Sequence, residues 1–469
     1  MPTLQSTRSP IFPGRHALSR RGALRSAGAL AGLTAAGAHA ACGQESAGGP
    51  PGPAKGPVTI RAFIGGIGAA LIDRWEPEIA APLKQRVPNL TLELLSQAAM
   101  TDGSTADVVQ KFTAMLAGGD PPDVNDLPRP AAQQVELGFL DERIDSFIRR
   151  DKFDTKQFNQ REFEQKAVYK GKMWQLPYKY LSNALVVVYN RQSFQAAGVP
   201  FPDVDPARTW DWDAHLQAMT KLTTRGADGM TARFGMAHEA SATYTWPRLF
   251  QADYVSQDGK TALCDSPAMQ EAYTKWADLM HKYNVVPRPG EARDLFGTSA
   301  ASQLFLTGKA ATSIMSPGSW SLYITNNSQF TDIGLAPLPK GKVSTPDIGS
   351  TCLGIVKGSR HPAEAWETIK HLVEGSRLAV FARYLPAIPK DVEPWAREDL
   401  KRFPQADVKA VLRALETHDR AGYLSGHPRQ DEILRSVSPA LDAIKSGKEG
   451  PVAVLRRLKL ELQGIIDRP

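Results

Sequence analysis

Along the chain the spacing of apolar residues changes several times, and each change predicts an element. Val58-Thr59-Ile60-Arg61-Ala62-Phe63 alternates with period two and runs into Gly65, Gly66 and Gly68, which predicts a strand closed by a turn. Leu90-Thr91-Leu92-Glu93-Leu94 alternates in the same way. From Thr105 to Ala117 the apolar residues Val108, Val109, Phe112, Met115 and Leu116 share one helical face, and Gly118-Gly119 ends the helix. Leu185-Val186-Val187-Val188-Tyr189 is apolar throughout, as a central strand covered on both faces should be. Thr209-Trp210-Asp211-Trp212-Asp213 predicts a helix capped by Thr, with acids in its first turn and Trp212, Leu216, Met219 and Leu222 inward. Pro362 opens a helix that buries Trp366, Ile369 and Leu372. Two last stripes, Ile433-Val437-Leu441-Ile444 and Leu455-Leu458-Leu462-Ile465, predict a helical tail. Strands and helices in alternation predict an α/β protein built on mainly parallel sheets flanked by helices.

The first forty residues follow another pattern. Arg20-Arg21 precedes a short Ala- and Gly-rich run that ends at Ala38-His39-Ala40 and Cys42. The run is too short for a membrane span, and its basic front, apolar middle and small-residue end are the parts of an export signal. Ser19-Arg20-Arg21-Gly22-Ala23-Leu24 resembles the twin-arginine version. Two endings compete: cleavage after Ala40 frees a soluble chain, whereas cleavage before Cys42 leaves a thiol for lipid attachment. The Gly-, Pro- and Ser-rich tract that follows suits a tether and favours the lipid. Residues 1–41 therefore read as export signal and 42–57 as tether.

This leader changes the meaning of the charge. Its five arginines come with no acid, so the formal +7 falls to +2 without them, and the case for a nucleic-acid partner goes too. The other two cysteines, Cys264 and Cys352, lie in apolar stretches and read as small buried thiols, with a disulfide between them as the alternative.

Catalytic motifs are not found. Ser316-Pro317-Gly318-Ser319-Trp320 lacks the leading glycine of a nucleophile elbow. His238-Glu239 has Ala242 where a zinc protease needs its second His. Gly308-Lys309 and Gly66-Ile67-Gly68 each miss a glycine that a nucleotide loop requires, and no cofactor motif is visible. The loops beside strands are instead rich in aromatics: Trp174 to Tyr180, Tyr244-Thr245-Trp246-Pro247, and the stretch ending at Trp320. Flat rings flanked by hydroxyls and amides suit a sugar.

The order of landmarks resembles the bacterial extracellular solute-binding proteins of ABC sugar importers. Gly118-Gly119-Asp120-Pro121-Pro122-Asp123-Val124 is similar to the family's turn before a strand. Gly171-Lys172-Met173-Trp174-Gln175-Leu176-Pro177-Tyr178, on to Asn190-Arg191, resembles its crossing between lobes. Ala197-Gly198-Val199-Pro200, Asp258-Gly259-Lys260, Leu304 to Ala311, Gly334 to Pro339 and Pro362-Ala363-Glu364-Ala365-Trp366 follow in the family's sequence.

The resemblance implies a two-lobed periplasmic-binding-protein fold. Lobe 1 would be residues 58–172 with 338–362, and lobe 2 residues 173–337 with 363–469. It implies a monomeric receptor, without catalysis or cofactor, that hands a carbohydrate to membrane permease subunits. Carried over by position, it places Asp126, Arg129, Tyr178, Tyr180, Tyr244, Trp246, Gly318 and Trp320 at the cleft, with Tyr384 as a lid residue. Sugar-stacking members carry a Trp where Gly318 stands, so maltose is not the expected ligand. Lys179 and Arg129 near the cleft would favour an acidic ligand. Two alternatives stay open: a glycan-active enzyme on the same fold, and a binder of a polyamine, opine, sugar acid or phosphate ester.

Overall fold

Among the described residues, alternation and glycine turns become twelve strands: β1 (Val58–Ile64), β2 (Leu90–Ser96), β3 (Val124–Asn125), β4 (Val168–Tyr169), β5 (Lys172–Met173), β6 (Leu176–Ala184), β7 (Val186–Asn190), β8 (Thr224–Arg225), β9 (Thr231–Met236), β10 (Ala310–Met315), β11 (Ile333–Ala336) and β12 (Asp347–Ile355). The computed structural model describes residues 52, 54–65, 67–96, 105–237, 242–298, 300–316, 332–401, 403–418 and 422–468. Cys42, Gly318 and Trp320 lie outside the described residues.

Two five-stranded sheets organise the chain, in the orders β2-β1-β3-β12-β6 and β11-β7-β10-β9-β8. In the first, β1 pairs in parallel with β2 and with β3, as the strand–helix alternation predicts. Antiparallel β12 and β6 then extend it. In the second, β9 and β10 are the parallel pair and β7 runs antiparallel to both β10 and β11. The fully apolar β7 is buried through Tyr189, as a central strand must be. Both sheets are thus mixed, not mainly parallel as expected: the first has the parallel trio β2-β1-β3 and the second the parallel pair β9-β10, each extended by antiparallel strands.

Helices cover these sheets with the predicted faces. Trp366, on the Pro362–Val373 helix, is fully buried, stacks on Phe147 at 6.4 Å and donates its indole N–H to Asp151 at 2.7 Å. In the Trp212–Leu222 helix the cap is Asp211, not Thr209; its carboxylate accepts the Ala214 N–H at 2.8 Å. A carboxylate at the N-cap also meets the positive end of the helix dipole, which favours Asp over the hydroxyl two residues upstream. The tail helices Gln430–Lys445 and Pro451–Ile466 bury all eight predicted residues in the core of the second sheet.

The lobe boundaries differ from the expected 172/173 and 362/363. Leu176–Ala184 pairs with β12 inside the first sheet, and Pro362–Phe381 packs into the first core through Ala363, Trp366, Ile369, Leu378 and Phe381. The chain therefore crosses to the second sheet near Leu185, returns with β12, and crosses again after Tyr384. The physical reason lies in the edge of β6. The Tyr180 N–H donates to the Leu385 carbonyl and the Ala387 N–H to the Tyr178 carbonyl, so the outgoing segment completes that edge. Cys264 sits in the second core and Cys352 on β12, each a free, buried thiol. Among the described residues, no helix is long and apolar enough to cross a membrane.

Candidate functional site

In an open α/β sheet, ligands sit outside the carboxyl ends of the parallel strands, where the strand order reverses. In the first sheet that point lies between β1 and β3, because the chain passes from β1 outward to β2 and then back to the other side of β1. Gly65 follows β1 and Asp126 follows β3. The Gly65 N–H donates to Asp126 Oδ1 at 2.7 Å, and the Tyr178 hydroxyl donates to Oδ2 at 2.8 Å. Two of the expected residues, Asp126 and Tyr178, thus meet at the reversal point.

Lys179 stands beside them. It is 6 % exposed, and its ammonium lies 3.8 Å from the Tyr384 ring centroid and 5.2 Å from that of Tyr178. Burial pulls the ammonium from its usual value down to about 8, while the charge on Asp126 pulls it back up. Burial, and after it Asp126, raises both tyrosine hydroxyls above their ordinary range. Tyr384, the expected lid residue, is therefore the second wall around this ammonium.

Arg129, three residues past Asp126, reaches across to the second lobe. Its Nε and Nη2 donate to Asp431 Oδ2 at 2.9 and 2.6 Å, on the tail helix Gln430–Lys445. Its backbone is fixed by two buried glutamines, since Gln134 and Gln175 both donate to the Arg129 carbonyl. Next to Asp431, the Gln430 amide donates to the Tyr244 hydroxyl at 3.4 Å. Tyr244 belongs to the segment that follows β9, whose carboxyl end lies beside that of its parallel neighbour β10. The chain Arg129–Asp431–Gln430–Tyr244 therefore joins the carboxyl ends of both sheets. Arg129 Nη1 and Gln430 Oε1 are buried with no hydrogen-bond partner among the described residues.

A second set of polar contacts ties the lobes together beside this one. Lys166 donates to the Ser425 carbonyl at 2.7 Å, and Gln165 to that of Gly422 at 2.9 Å. Asp347, at the start of β12, accepts the Gly422 N–H at 3.0 Å; burial raises its carboxyl above the usual range, against the pull of that N–H, Arg248 and His418. A groove of about 840 Å³ opens between Gln160 and Gln165 on lobe 1, Ser256 and Gly259 on lobe 2, and the Tyr423–Pro428 stretch.

Two expected residues are not brought to this place. Trp246 is 2 % exposed and meets Trp212 edge-on at 5.8 Å in the second core. Its neighbours explain the difference: Thr245–Leu249 forms a short helix, which turns Trp246 inward together with Leu249 and Phe250. Tyr180 is packed in a separate cluster with Leu185, Ile348 and Leu385. Conversely, Gln430, Asp431 and Asp347 join the site without having been singled out. Gln430 and Asp431 are the first two residues of their helix, in a first turn where polar and acidic residues are common for helix-terminus reasons alone, so neither carried a distinguishing signal. Among the described residues no three His, Cys, Asp or Glu side chains gather as a metal site.

The sequence pattern of a family described as bacterial extracellular solute-binding protein matches residues 70–374. No protein of curated function matches the sequence significantly. Among solved structures, an ABC substrate-binding protein from Listeria monocytogenes in complex with cycloalternan is 19% identical. The match covers 88% of this chain and 100% of that one, with a TM-score of 0.72. UgpB from Mycobacterium tuberculosis, in complex with glycerophosphocholine, is 22% identical over 88% of this chain and 99% of its own, at 0.69. The maltose/maltodextrin-binding domain MalE from Bdellovibrio bacteriovorus, bound to maltotriose, is 18% identical over 88% and 100%, at 0.64. The expected two-lobed periplasmic-binding-protein fold is the fold observed.

Proposed function

The chain belongs to the bacterial extracellular solute-binding protein family, and on that premise we propose that it captures a sugar or sugar-like polyol between its lobes and delivers it to the permease of an ABC importer. One observation carries the choice of ligand. Arg129 Nη1 is a buried donor and Gln430 Oε1 a buried acceptor, both without partners among the described residues, at the place where the two lobes join. Buried polar groups are normally satisfied, and a hydroxyl, donor and acceptor at once, satisfies both. Tyr244 stands beside Gln430, and Tyr178 and Tyr384 supply rings around the Lys179 ammonium. Gly318 and Trp320, which follow β10 in the sequence, belong to the same reading.

The mechanism is capture by population shift. A ligand that touches Asp126, Arg129 and Lys179 on one side, and Tyr244 and Gln430 on the other, binds the closed arrangement better than the open one. It therefore draws the lobes together about the crossings near Leu185 and Tyr384. Micromolar affinity, about −8 kcal/mol, suits capture followed by release. Nothing in the chemistry of the site calls for catalysis.

Thermal-shift and calorimetric screens of neutral and acidic sugars and polyols test the reading. A ligand at 100 times its Kd stabilises the folded state by about 2.7 kcal/mol, and scattering should show a smaller radius of gyration with ligand. Binding without compaction, or shortened oligosaccharides after incubation, would defeat it. Export ahead of use and lipid on Cys42 complete the proposal, as a receptor held beside its permease requires. The mass of the mature N-terminus decides that part: an unmodified chain starting at Ala41 removes the anchor.

A further inference from the structure

Lys179 carries a charge beside the β1/β3 reversal point that no acid among the described residues pairs with. Among the described residues no carboxylate lies within ion-pair distance of its ammonium and no hydrogen-bond acceptor reaches it; its neighbours are the faces of Tyr384 and Tyr178. Asp126 lies within electrostatic reach, yet its two oxygens are held by the Gly65 N–H and the Tyr178 hydroxyl. Arg129 differs, since Asp431 neutralises it.

A buried ammonium without an anion is costly, and such groups are ordinarily paired. Ring faces hold a cation by its flanks but accept no hydrogen bond of ordinary strength, so its N–H donors stay available. The position is also the one at which a ligand is expected, beside the reversal point between β1 and β3. We propose that Lys179 recognises an anionic group on the solute, and that the ligand class is an acidic or phosphorylated sugar or polyol, not a neutral sugar. This rests on the receptor reading given above and deepens it. Tyr384 and Tyr178 act as walls that align the ammonium, and the hydroxyls of the same ligand engage Arg129 and Gln430. At pH 7 the ammonium remains mostly protonated, and an anion beside it strengthens that state.

Calorimetric titration with glycerol 3-phosphate, gluconate and maltotriose tests the proposal on the wild type, Lys179→Met and Lys179→Arg. Phosphate and carboxylate probes separate the two sources of negative charge. The expected result is binding of at least one anionic probe to the wild type, a loss of thirtyfold or more in Lys179→Met, and partial retention in Lys179→Arg. Competition by inorganic phosphate in the wild type gives the same answer without any variant. If maltotriose binds wild type and Lys179→Met within threefold of each other while neither anionic probe binds, the inference is overturned and the receptor reading stands. If no probe binds and scattering shows no compaction with any of them, both fall.

Discussion

Two residues, Trp246 and Lys179, show how far a side chain's chemistry depends on what surrounds it. Trp246 follows a turn and interrupts no helical stripe, which in sequence suits an exposed ring. In the fold it shares a core with Trp212, whose ring centroid lies 5.8 Å away. Trp246→Ala should lower stability by about 3–5 kcal/mol, as should Trp212→Ala, and the double variant should lose less than the sum because the two rings touch. Urea unfolding of the three variants measures this; a Trp246→Ala protein as stable as wild type would contradict the packing. Lys179 behaves in the opposite sense. Burial draws its ammonium from the usual 10.5 to about 8, with Asp126, Tyr178 and Tyr384 facing it. Between those values the unfolded chain keeps the proton and the folded chain loses it, so stability rises as pH climbs from 8 to 10.5, and the burial cost is complete below 8. Lys179→Met should therefore be more stable than wild type at pH 7, by about 1–3 kcal/mol, with the advantage fading toward pH 10. A variant less stable at pH 7 would show that the ammonium holds the fold together.

Elements were legible wherever a periodic pattern was long. β1, β2, the helix at Thr105–Ala117 and β7 fall within a residue or two of their predicted spans, and both tail helices contain their predicted apolar stripes. Short elements were not: Thr245–Leu249 is five residues, too few to display a period, and with it went the direction of Trp246. Close approaches between elements were equally hidden. At Gly334 on β11, an added Cβ would lie 2.0 Å from Cζ of Tyr189 on β7, so the strand pair depends on the bare backbone there. Gly334→Ala must displace that ring, and a loss of about 1–3 kcal/mol is expected from overpacking, read as a lowered melting temperature. An unchanged melting temperature would mean that Tyr189 moves freely, against its burial between Phe194 and the sheet.

At the scale of the whole molecule, the proposed capture by lobe closure requires that no covalent bond lock the lobes. Cys264 lies in the second core and Cys352 on β12 of the first sheet; burial pushes the Cys264 thiol up to about 12 and that of Cys352 higher still. Neither forms appreciable thiolate at pH 8, so a disulfide-exchange reagent should label neither in the native protein and both once it is unfolded. Labelling of one thiol under native conditions would reveal a lobe that opens locally. The ties between lobes are instead reversible: Arg129 to Asp431, Lys166 to the Ser425 carbonyl, and Gln165 to that of Gly422. Such contacts can be exchanged for ligand contacts at modest cost, as closure requires.

The sequence alone determined the class of the fold, the main elements and the inward faces of the helices, and it singled out Asp126, Tyr178 and Tyr384, which the fold gathers near Lys179. These depend on local periodicity, turn residues and the order of landmarks, all of which are written along one dimension. Only the tertiary structure decided that β6 belongs to the first sheet, that Trp246 is core, and that Arg129 meets Asp431 some three hundred residues away. Only it decided, too, that Lys179 is buried against two rings with no acid within ion-pair distance among the described residues. The reason is physical: strand pairing, burial and charge pairing are set by distances between segments far apart in the chain, and periodicity carries no record of them.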